Sequence, residues 1–282
     1  MTLIADRDLG GLPVRVHLPA DAPGPLPVIV FSHGLGGSRM GYSWLGRFWA
    51  AHGYVVVHPS HHDGVKLRLE DVESAAPGVA ALRAIKQAID DPRNWENRPR
   101  DLARAIDHLP LLPELIPRLQ GKIDSTRIGI GGHSYGAYTA LLCAGARIEL
   151  QGTIRDFSEP RARAFVALSP PGNGSRGLDG ESWARIERPV LCVSGTRDGG
   201  LQGQPPQWRE ESFHAMRPPG KALVVVEGAE HFTFSGGRPR RLADPAHLRD
   251  VEAATLWFWN RHLKGVEADF PALHAARVER KE

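Results

Sequence analysis

The sequence predicts an α/β fold: a mostly parallel sheet covered by helices on both faces. Short, almost uniformly apolar runs recur along the chain, and amphipathic or polar stretches of helical length separate them. Uniformly apolar strands are typical of parallel sheets that are buried on both faces. A chain of 282 residues can bury such a core, and we expect residues 1–282 to form one domain.

Each predicted strand follows from its pattern. Leu12 to Leu18 alternates between apolar and polar residues and is predicted to be an edge strand. The later, continuously apolar runs are predicted to be core strands: Val28 to Ser32, Tyr54 to Val57, Arg127 to Gly131, Ala164 to Leu168, Val190 to Val193, and Ala222 to Val226.

Helices are predicted between these strands. They cover Tyr42 to Ala51, Val79 to Ile89, Arg100 to Leu109, Tyr135 to Ala146, and Ala246 to Leu263. Asp244-Pro245 before the last helix and Gly265 after it are typical start and stop signals. Residues 61–100 are predicted to be a helical and loop insertion.

Composition excludes several classes of protein. The net charge is +3 without any run of Lys or Arg, so we expect no nucleic-acid partner. Cys143 and Cys192 lie in apolar stretches and are predicted to be buried thiols. Acidic and basic residues stand where a signal peptide would need an apolar core. We expect a cytoplasmic protein without stable membrane insertion, or a secreted one if a leader was removed, and the oligomeric state stays open.

The most informative motif is Gly132-His133-Ser134-Tyr135-Gly136, which reads G-x-S-x-G. It lies between a predicted strand and a predicted helix, which is the context of a nucleophile elbow. A serine is a weak nucleophile unless a base activates it, so the motif predicts a base and an acid elsewhere in the chain.

Candidate partners follow other strands, at the sheet edge where ligands of open α/β sheets bind. His231 follows the strand that ends at Val226 and is the predicted base; Asp198 follows Val193 and is the predicted acid. The order Ser, Asp, His is that of α/β-hydrolases. Ser169 follows the earlier strand, where some hydrolases carry the acid, and Asp179 or Glu181 is the fallback.

A small-residue loop, His33-Gly34-Leu35-Gly36-Gly37, follows the strand that ends at Ser32. Such a loop can turn a backbone N–H toward a substrate oxygen and form half of an oxyanion hole. The N–H of Tyr135, directly after the nucleophile, is predicted to be the other half.

The tract from His58 to Asp63 also follows a strand. Its spacing does not place two metal ligands on one helix face, so we favour a polar rim or a substrate-side wall of the cleft over a metal site. His133 is predicted to pack or hydrogen-bond under the elbow. Trp95, Trp183 and Trp208 could line an acyl pocket or pack in the core.

These motifs make the chain resemble the α/β-hydrolase superfamily over nearly its whole length. Within it, residues 31–37, 51–56, 98–102 and 132–136 resemble platelet-activating-factor acetylhydrolases and dienelactone-hydrolase-like serine esterases. The resemblance implies Leu35 as an oxyanion donor, Ser134 as nucleophile and His231 as base. Asp198 corresponds to the acid of dienelactone hydrolases, whereas the acetylhydrolases carry theirs at the position of Ser169.

The sequence therefore predicts a carboxylesterase-type serine hydrolase that forms an acyl-enzyme on Ser134. It requires no cofactor and no metal, and its substrate is a small-molecule or lipid-like ester. The alternatives are a thioesterase, amidase or perhydrolase with the same triad, or a noncatalytic binding protein of the same fold.

Overall fold

The structure is a computed structural model, and it describes residues 2–64, 87–88, 91–238 and 241–282. A nine-stranded sheet runs through it in the order β1-β2-β4-β3-β5-β8-β9-β10-β13. These strands are β1 (Thr2–Asp8), β2 (Pro13–Pro19), β3 (Leu26–Ser32), β4 (Val55–Pro59), β5 (Ile123–His133), β8 (Ala162–Leu168), β9 (Val190–Arg197), β10 (Lys221–Glu230) and β13 (Ala276–Lys281). Two short antiparallel pairs accompany the sheet: β6 (Arg147–Leu150) with β7 (Thr153–Asp156), and β11 (Gly237–Arg238) with β12 (Arg241–Leu242).

The six central strands, β4, β3, β5, β8, β9 and β10, are parallel, which confirms the predicted fold class. The outer pairs β1–β2, β2–β4 and β10–β13 are antiparallel. The expectation that residues 12–18 form the edge strand was wrong, because β1 pairs along β2 outside it. Strand β1 was not predicted because charged residues interrupt its apolar pattern. Arg15 of β2 forms an ion pair with Asp6 of β1. Charged side chains on an edge strand disfavour pairing with a further strand.

Helices cover both faces of the sheet. Their bounds are α1 (Ser43–Ala51), α2 (Pro92–Asp107), α3 (Leu112–Leu115), α4 (Tyr135–Ala144), α5 (Glu211–Ala215) and α6 (Pro245–Lys264), with short 3-10 turns at Leu109–Leu111, Pro117–Leu119, Pro206–Glu210 and His231–Ser235. Alternate residues of β3 divide between two cores: Val28 and Val30 pack with residues of α2 and α4. Ile29 and Phe31 pack with residues of α1 and α6.

Several predicted helix ends were displaced. The helix predicted from Arg100 begins at Pro92, where the Asp91 side chain accepts a hydrogen bond from the Arg93 N–H, and Pro99 lies inside it. The helix predicted to Ala146 ends at Ala144, because Gly145 takes a left-handed conformation and stops it. The helix predicted over 79–89, like most of the predicted insertion, lies outside the described residues apart from 87 and 88.

Because the central strands are parallel, their carboxyl ends meet along one edge of the sheet. Ser32, His133, Leu168 and Arg197 end β3, β5, β8 and β9 there, so the loops that follow these strands converge. In the part of the chain that the structure describes, no helix has the length and apolar character that crossing a membrane requires.

Candidate active site

The turn between β5 and α4 places Ser134 at its apex with φ 56° and ψ −113°. A positive φ is costly for a residue with a Cβ and is typical of functional turns. The flanking glycines permit the turn: a Cβ on Gly132 would lie 2.1 Å from the Gly136 carbonyl oxygen, and one on Gly136 would lie 2.0 Å from the Ser32 carbonyl oxygen. Glycine at position 132 therefore lets β5 turn tightly into α4, and glycine at position 136 lets the start of α4 approach β3.

The structure brings Ser134, His231 and Asp198 together at this edge of the sheet. The Oγ of Ser134 lies 3.0 Å from Nε2 of His231, and Nδ1 of His231 lies 3.0 Å from Oδ1 of Asp198. The Asp198 side chain is fully buried, and that of His231 is 15% exposed. With the Nδ1 proton donated to Asp198, Nε2 is free to accept the proton of the serine hydroxyl.

The surroundings of Asp198 keep its carboxyl group ionised. Burial alone would raise its pKa, but the hydrogen bond from His231, the charge of Arg209 and further hydrogen bonding hold the pKa below its usual value. Ser194 adds a hydrogen bond from its hydroxyl to Oδ2 at 3.2 Å. A carboxylate in this state can orient the imidazole and stabilise its charged form.

Arg209 contributes to this acid pocket although its sequence position gave no sign of it. Its side chain is buried, and its Nε lies 3.3 Å from Oδ1 of Asp198. It donates to the carbonyl oxygens of Asp198, Ser169, Pro170 and Gly199. Arg209 thus ties the loop after β8 to the loop after β9.

The fallback acids take no part in the triad geometry. The Asp179 carboxylate accepts hydrogen bonds from the backbone N–H groups of Glu181 and Ser182 and from the Ser182 hydroxyl. It stabilises a local turn, which is a common role of Asp.

The predicted oxyanion loop is held from several directions. The Gly34 carbonyl accepts from His33 Nδ1 at 2.6 Å and from the Gly37 N–H at 3.1 Å. The Gly34 N–H donates to the Tyr42 hydroxyl at 3.1 Å. Leu35 is half-buried and packs against the core that contains Tyr135. These contacts fix the backbone that leads into Leu35.

His133 lies under the elbow, as predicted, and joins this loop to His231. Its Nδ1 lies 2.8 Å from the Tyr42 hydroxyl, and its Nε2 lies 3.0 Å from the His231 carbonyl oxygen. Because the His231 carbonyl oxygen can only accept, Nε2 of His133 carries the proton, and in the neutral ring Nδ1 accepts from the Tyr42 hydroxyl. The pKa of His133 is well below its usual value, mainly because the ring is buried and also because His231 is close. A neutral ring is consistent with this tautomer.

The tract from His58 to Asp63 was predicted to be a polar rim, and this was wrong: except for His62, its described side chains are buried. His61 accepts from the Ser32 hydroxyl at Nε2 and contacts Asp101 through Nδ1 at 2.9 Å. Its backbone N–H donates to Nε2 of His33. His61 therefore supports the predicted oxyanion loop, because its backbone N–H and both of its ring nitrogens find partners inside the fold.

One cluster elsewhere has the residue types of a metal site. Glu210, His214 and Glu279 bring potential ligand atoms within 4.8 Å of one another. Arg277 already forms ion pairs with both carboxylates, so the cluster is a salt-bridge network in this structure.

A cavity of about 320 Å³ opens beside Ser134. Two of the three candidate tryptophans, Trp95 and Trp208, line it, whereas Trp183 is fully buried in the core. Its other lining residues are Tyr135, Pro171, Gly174, Ser175, Arg176, Gly177, Leu201, Gln202, Gln204 and Arg209. The site thus combines a contact chain of Ser134, His231 and Asp198 with a mixed aromatic and polar cavity.

Comparison with known proteins finds similarity to platelet-activating factor acetylhydrolases. A family model described as "Platelet-activating factor acetylhydrolase, isoform II" matches residues 10–69. A platelet-activating factor acetylhydrolase of Cavia porcellus is 26% identical over 252 residues, which cover 80% of this chain and 53% of that protein. The protein of the same name from Canis lupus familiaris is 26% identical over 257 residues, covering 79% and 53%. That from Bos taurus is 32% identical over 198 residues, covering 61% and 40%.

The fold defines the class of the chain: it is an α/β protein with the fold of the α/β-hydrolases, and it is similar in sequence to platelet-activating factor acetylhydrolases. They confirm the resemblance to platelet-activating-factor acetylhydrolases that the sequence motifs indicated. The chain spans about half the length of the first two relatives.

Proposed function

We propose that the protein hydrolyses carboxylic esters through an acyl-enzyme formed on Ser134. The observation that carries this proposal is the continuous contact from Asp198 through His231 to Ser134, with both distances at 3.0 Å, beside a cavity that Ser134 itself lines. A nucleophile, a base and an orienting acid in that geometry are the requirements of acyl transfer.

In the proposed reaction His231 takes the proton of the Ser134 hydroxyl through Nε2 while the oxygen attacks the ester carbonyl carbon. The resulting imidazolium is stabilised by the buried carboxylate of Asp198. When the tetrahedral intermediate collapses, His231 gives that proton to the departing alcohol. Water then repeats the sequence on the acyl-enzyme and releases the acid.

The negative charge of the tetrahedral intermediate would rest on two backbone N–H groups. Tyr135 is the first residue of α4, where N–H groups have no partner within the helix and the helix dipole favours negative charge. Leu35 would supply the second N–H from the loop that Gly34 anchors. A single such donor is typically worth about 3–4 kcal/mol in the transition state.

The cavity supports a small or short-chain acyl group rather than a long one. Its volume of about 320 Å³ lies at the lower end of the range for small-molecule pockets. The relatives are named as acetylhydrolases of platelet-activating factor. Acetyl esters, including acetylated phospholipids, are therefore the first substrates that we propose.

The test is a substrate panel. We expect the wild-type protein to hydrolyse p-nitrophenyl acetate faster than its long-chain homologues, and an acetylated phospholipid at a comparable or higher rate. The Ser134→Ala variant should lose ester turnover and keep its circular dichroism spectrum. Thioesters and anilides in the same panel distinguish a thioesterase or an amidase. Ester turnover by the Ser134→Ala variant at the wild-type rate would overturn the proposal.

A further inference from the structure

Arg98 is a buried cation between the two predicted halves of the oxyanion hole. It lies on α2, and its side chain is 1% exposed. Its Nη1 donates to the His33 carbonyl oxygen at 2.6 Å, and its Nη2 reaches the Gly34 carbonyl oxygen at 3.4 Å. Arg98 therefore holds two successive carbonyl groups directly before Leu35.

The same guanidinium also contacts Tyr135, the other half of the predicted oxyanion hole. Its central carbon lies 4.3 Å from the centroid of the Tyr135 ring, within the range of a cation–π interaction. Tyr135 is the residue whose N–H follows the nucleophile, and its side chain is buried. One side chain thus touches both elements from which the oxyanion donors are expected.

Asp63 fixes the orientation of Arg98. Its carboxylate accepts from Nε at 3.2 and 3.0 Å and from Nη2 at 2.8 Å, and its side chain is 2% exposed. A planar guanidinium in bidentate contact with a carboxylate has little rotational freedom. A buried ion pair contributes little net stability compared with apolar residues of similar size, so positioning is the stronger explanation for it here.

We propose that Arg98, anchored by Asp63, is the positioning residue of the oxyanion hole and sets the distance between the Leu35 and Tyr135 backbone N–H groups. The inference rests on the proposed function of Ser134. It adds a residue that touches neither substrate nor triad and acts through the backbone that binds the transition state. The chemistry requires this precision, because an oxyanion donor misplaced by about 1 Å loses much of its effect.

The test compares substrate binding with binding of a tetrahedral adduct. A trifluoromethyl ketone takes the Ser134 oxygen onto its carbonyl carbon, His231 takes the hydroxyl proton, and the ketone oxygen becomes an oxyanion. Its inhibition constant therefore depends on the oxyanion hole, whereas KM for an acetyl ester depends mainly on the cavity. Both constants are independent of the fraction of protein that is folded.

The diagnostic variant is Arg98→Lys, which keeps the charge but cannot hold the carboxylate and both carbonyls together. We expect kcat/KM to fall and the ketone inhibition constant to rise by the same factor, about 10- to 100-fold, which is within the effect of one oxyanion donor. KM should change by less than about twofold. Wild-type values of kcat and of the inhibition constant, or a rise in KM equal to the rise in the inhibition constant, would overturn the inference.

Arg127→Lys is the matched control. Arg127 also donates to a carboxylate, that of Asp124, and to a backbone carbonyl, that of Pro25, but it lies toward the other end of β5. Its constants should match the wild type. If Arg98→Lys does not fold, Asp63→Asn must show the same rise in the inhibition constant, and a wild-type value there contradicts the inference. A wild-type protein that neither hydrolyses esters nor binds the ketone would instead overturn the proposed function.

Discussion

The hydroxyl oxygen of Ser169 lies 2.7 Å from Nδ1 of His231, which is closer than the carboxylate oxygen of Asp198. Asp198 Oδ1 is 3.0 Å from the same nitrogen. Ser169 follows β8 and has φ 54°, whereas Asp198 follows β9. The geometry therefore offers two positions from which a side chain can orient His231, and a carboxylate occupies the later one.

This arrangement predicts that a carboxylate at position 169 can replace the proposed acid, Asp198. Asp198→Asn should lower kcat by up to about 10⁴-fold, because an amide does not hold the imidazole in the productive tautomer. Adding Ser169→Asp to that variant should raise kcat again by at least about 10-fold, because Asp tolerates the positive φ of this position and its carboxylate can then face His231. Steady-state rates on p-nitrophenyl acetate measure both effects. The control is Asp179→Asn, whose activity should equal that of the wild type; a crippled Asp179 variant beside an active Asp198 variant would place the acid elsewhere.

Arg209 should matter for stability and for activity. Its replacement by Met leaves the buried Asp198 carboxylate without its cation and four carbonyl groups without their donor. Breaking a buried ion pair in this way typically costs about 3–5 kcal/mol. We expect a loss of that order in urea unfolding, and a fall in kcat per folded molecule. Arg188→Met removes donors from the carbonyls of Glu159 and Ala162 and should reduce stability alone; equal kcat for both variants would show that Arg209 only supports the fold.

Arg209 lies close to His231 but cannot exchange a proton with it. Nη2 lies 3.2 Å from Nδ1, but a guanidinium only donates hydrogen bonds. While Nδ1 carries the proton that Asp198 accepts, this contact is close packing of a cation against the ring. The guanidinium therefore acts on Asp198 and on the loops, and we assign it no proton transfer.

Tyr42 links the predicted oxyanion loop to His133, which in turn contacts the backbone of the proposed base, His231. Tyr42→Phe leaves the Gly34 N–H and Nδ1 of His133 without their partner, and unpaired buried polar groups cost about 1–3 kcal/mol each. We expect lower stability together with a lower kcat for acetyl esters. Tyr54→Phe, which loses a hydrogen bond to Asn260 away from the site, should lose stability only. A Tyr42 variant with the wild-type kcat would contradict a role in positioning.

Stability should fall as the solution becomes more acidic. His17 and His58 are buried with rings 5.1 Å apart, and no hydrogen-bond partner of His17 or of His58 Nε2 occurs within the described ranges. Burial, with nearby positive charge, lowers the pKa of His17 to about 4 and that of His58 well below its usual value. The unfolded chain titrates near the ordinary value of about 6.5, so it binds more protons than the folded chain below that pH.

The expected slope follows from that difference. Between about pH 6.5 and pH 4 each of these histidines should remove about 1.4 kcal/mol of unfolding free energy per pH unit. Urea unfolding at a series of pH values measures the slope. The His58→Leu variant should show a shallower slope, because about one proton fewer is taken up on unfolding in this pH range. An unfolding free energy that stays constant between about pH 7 and pH 5 would contradict the prediction.

Much of this architecture could be predicted from the sequence because burial leaves a simple pattern. Uniform apolar runs indicated the parallel strands, and a parallel sheet necessarily brings the loops with Ser134, Asp198 and His231 to one edge. The edge strands β1 and β13 were missed because their alternation is carried by charged residues, as in Arg277-Val278-Glu279.

The supporting residues could not be predicted for a different reason. Arg98 contacts the backbone carbonyl of His33, 65 residues away, and Arg209 contacts that of Ser169, 40 residues away. No local sequence pattern encodes such a contact. Ser169 was considered only as a missing carboxylate, although its hydroxyl reaches His231. A buried arginine is recognisable only once the groups that face it are known.

The central claim is that Ser134 is the nucleophile that His231 activates, and covalent labelling tests it most directly. A fluorophosphonate should modify the folded protein at one residue, and peptide mass mapping should identify that residue as Ser134. Labelling should be lost in Ser134→Ala and strongly slowed when His231 is replaced by Ala. A label on another residue, or no label on a protein that still hydrolyses acetyl esters, would contradict the account.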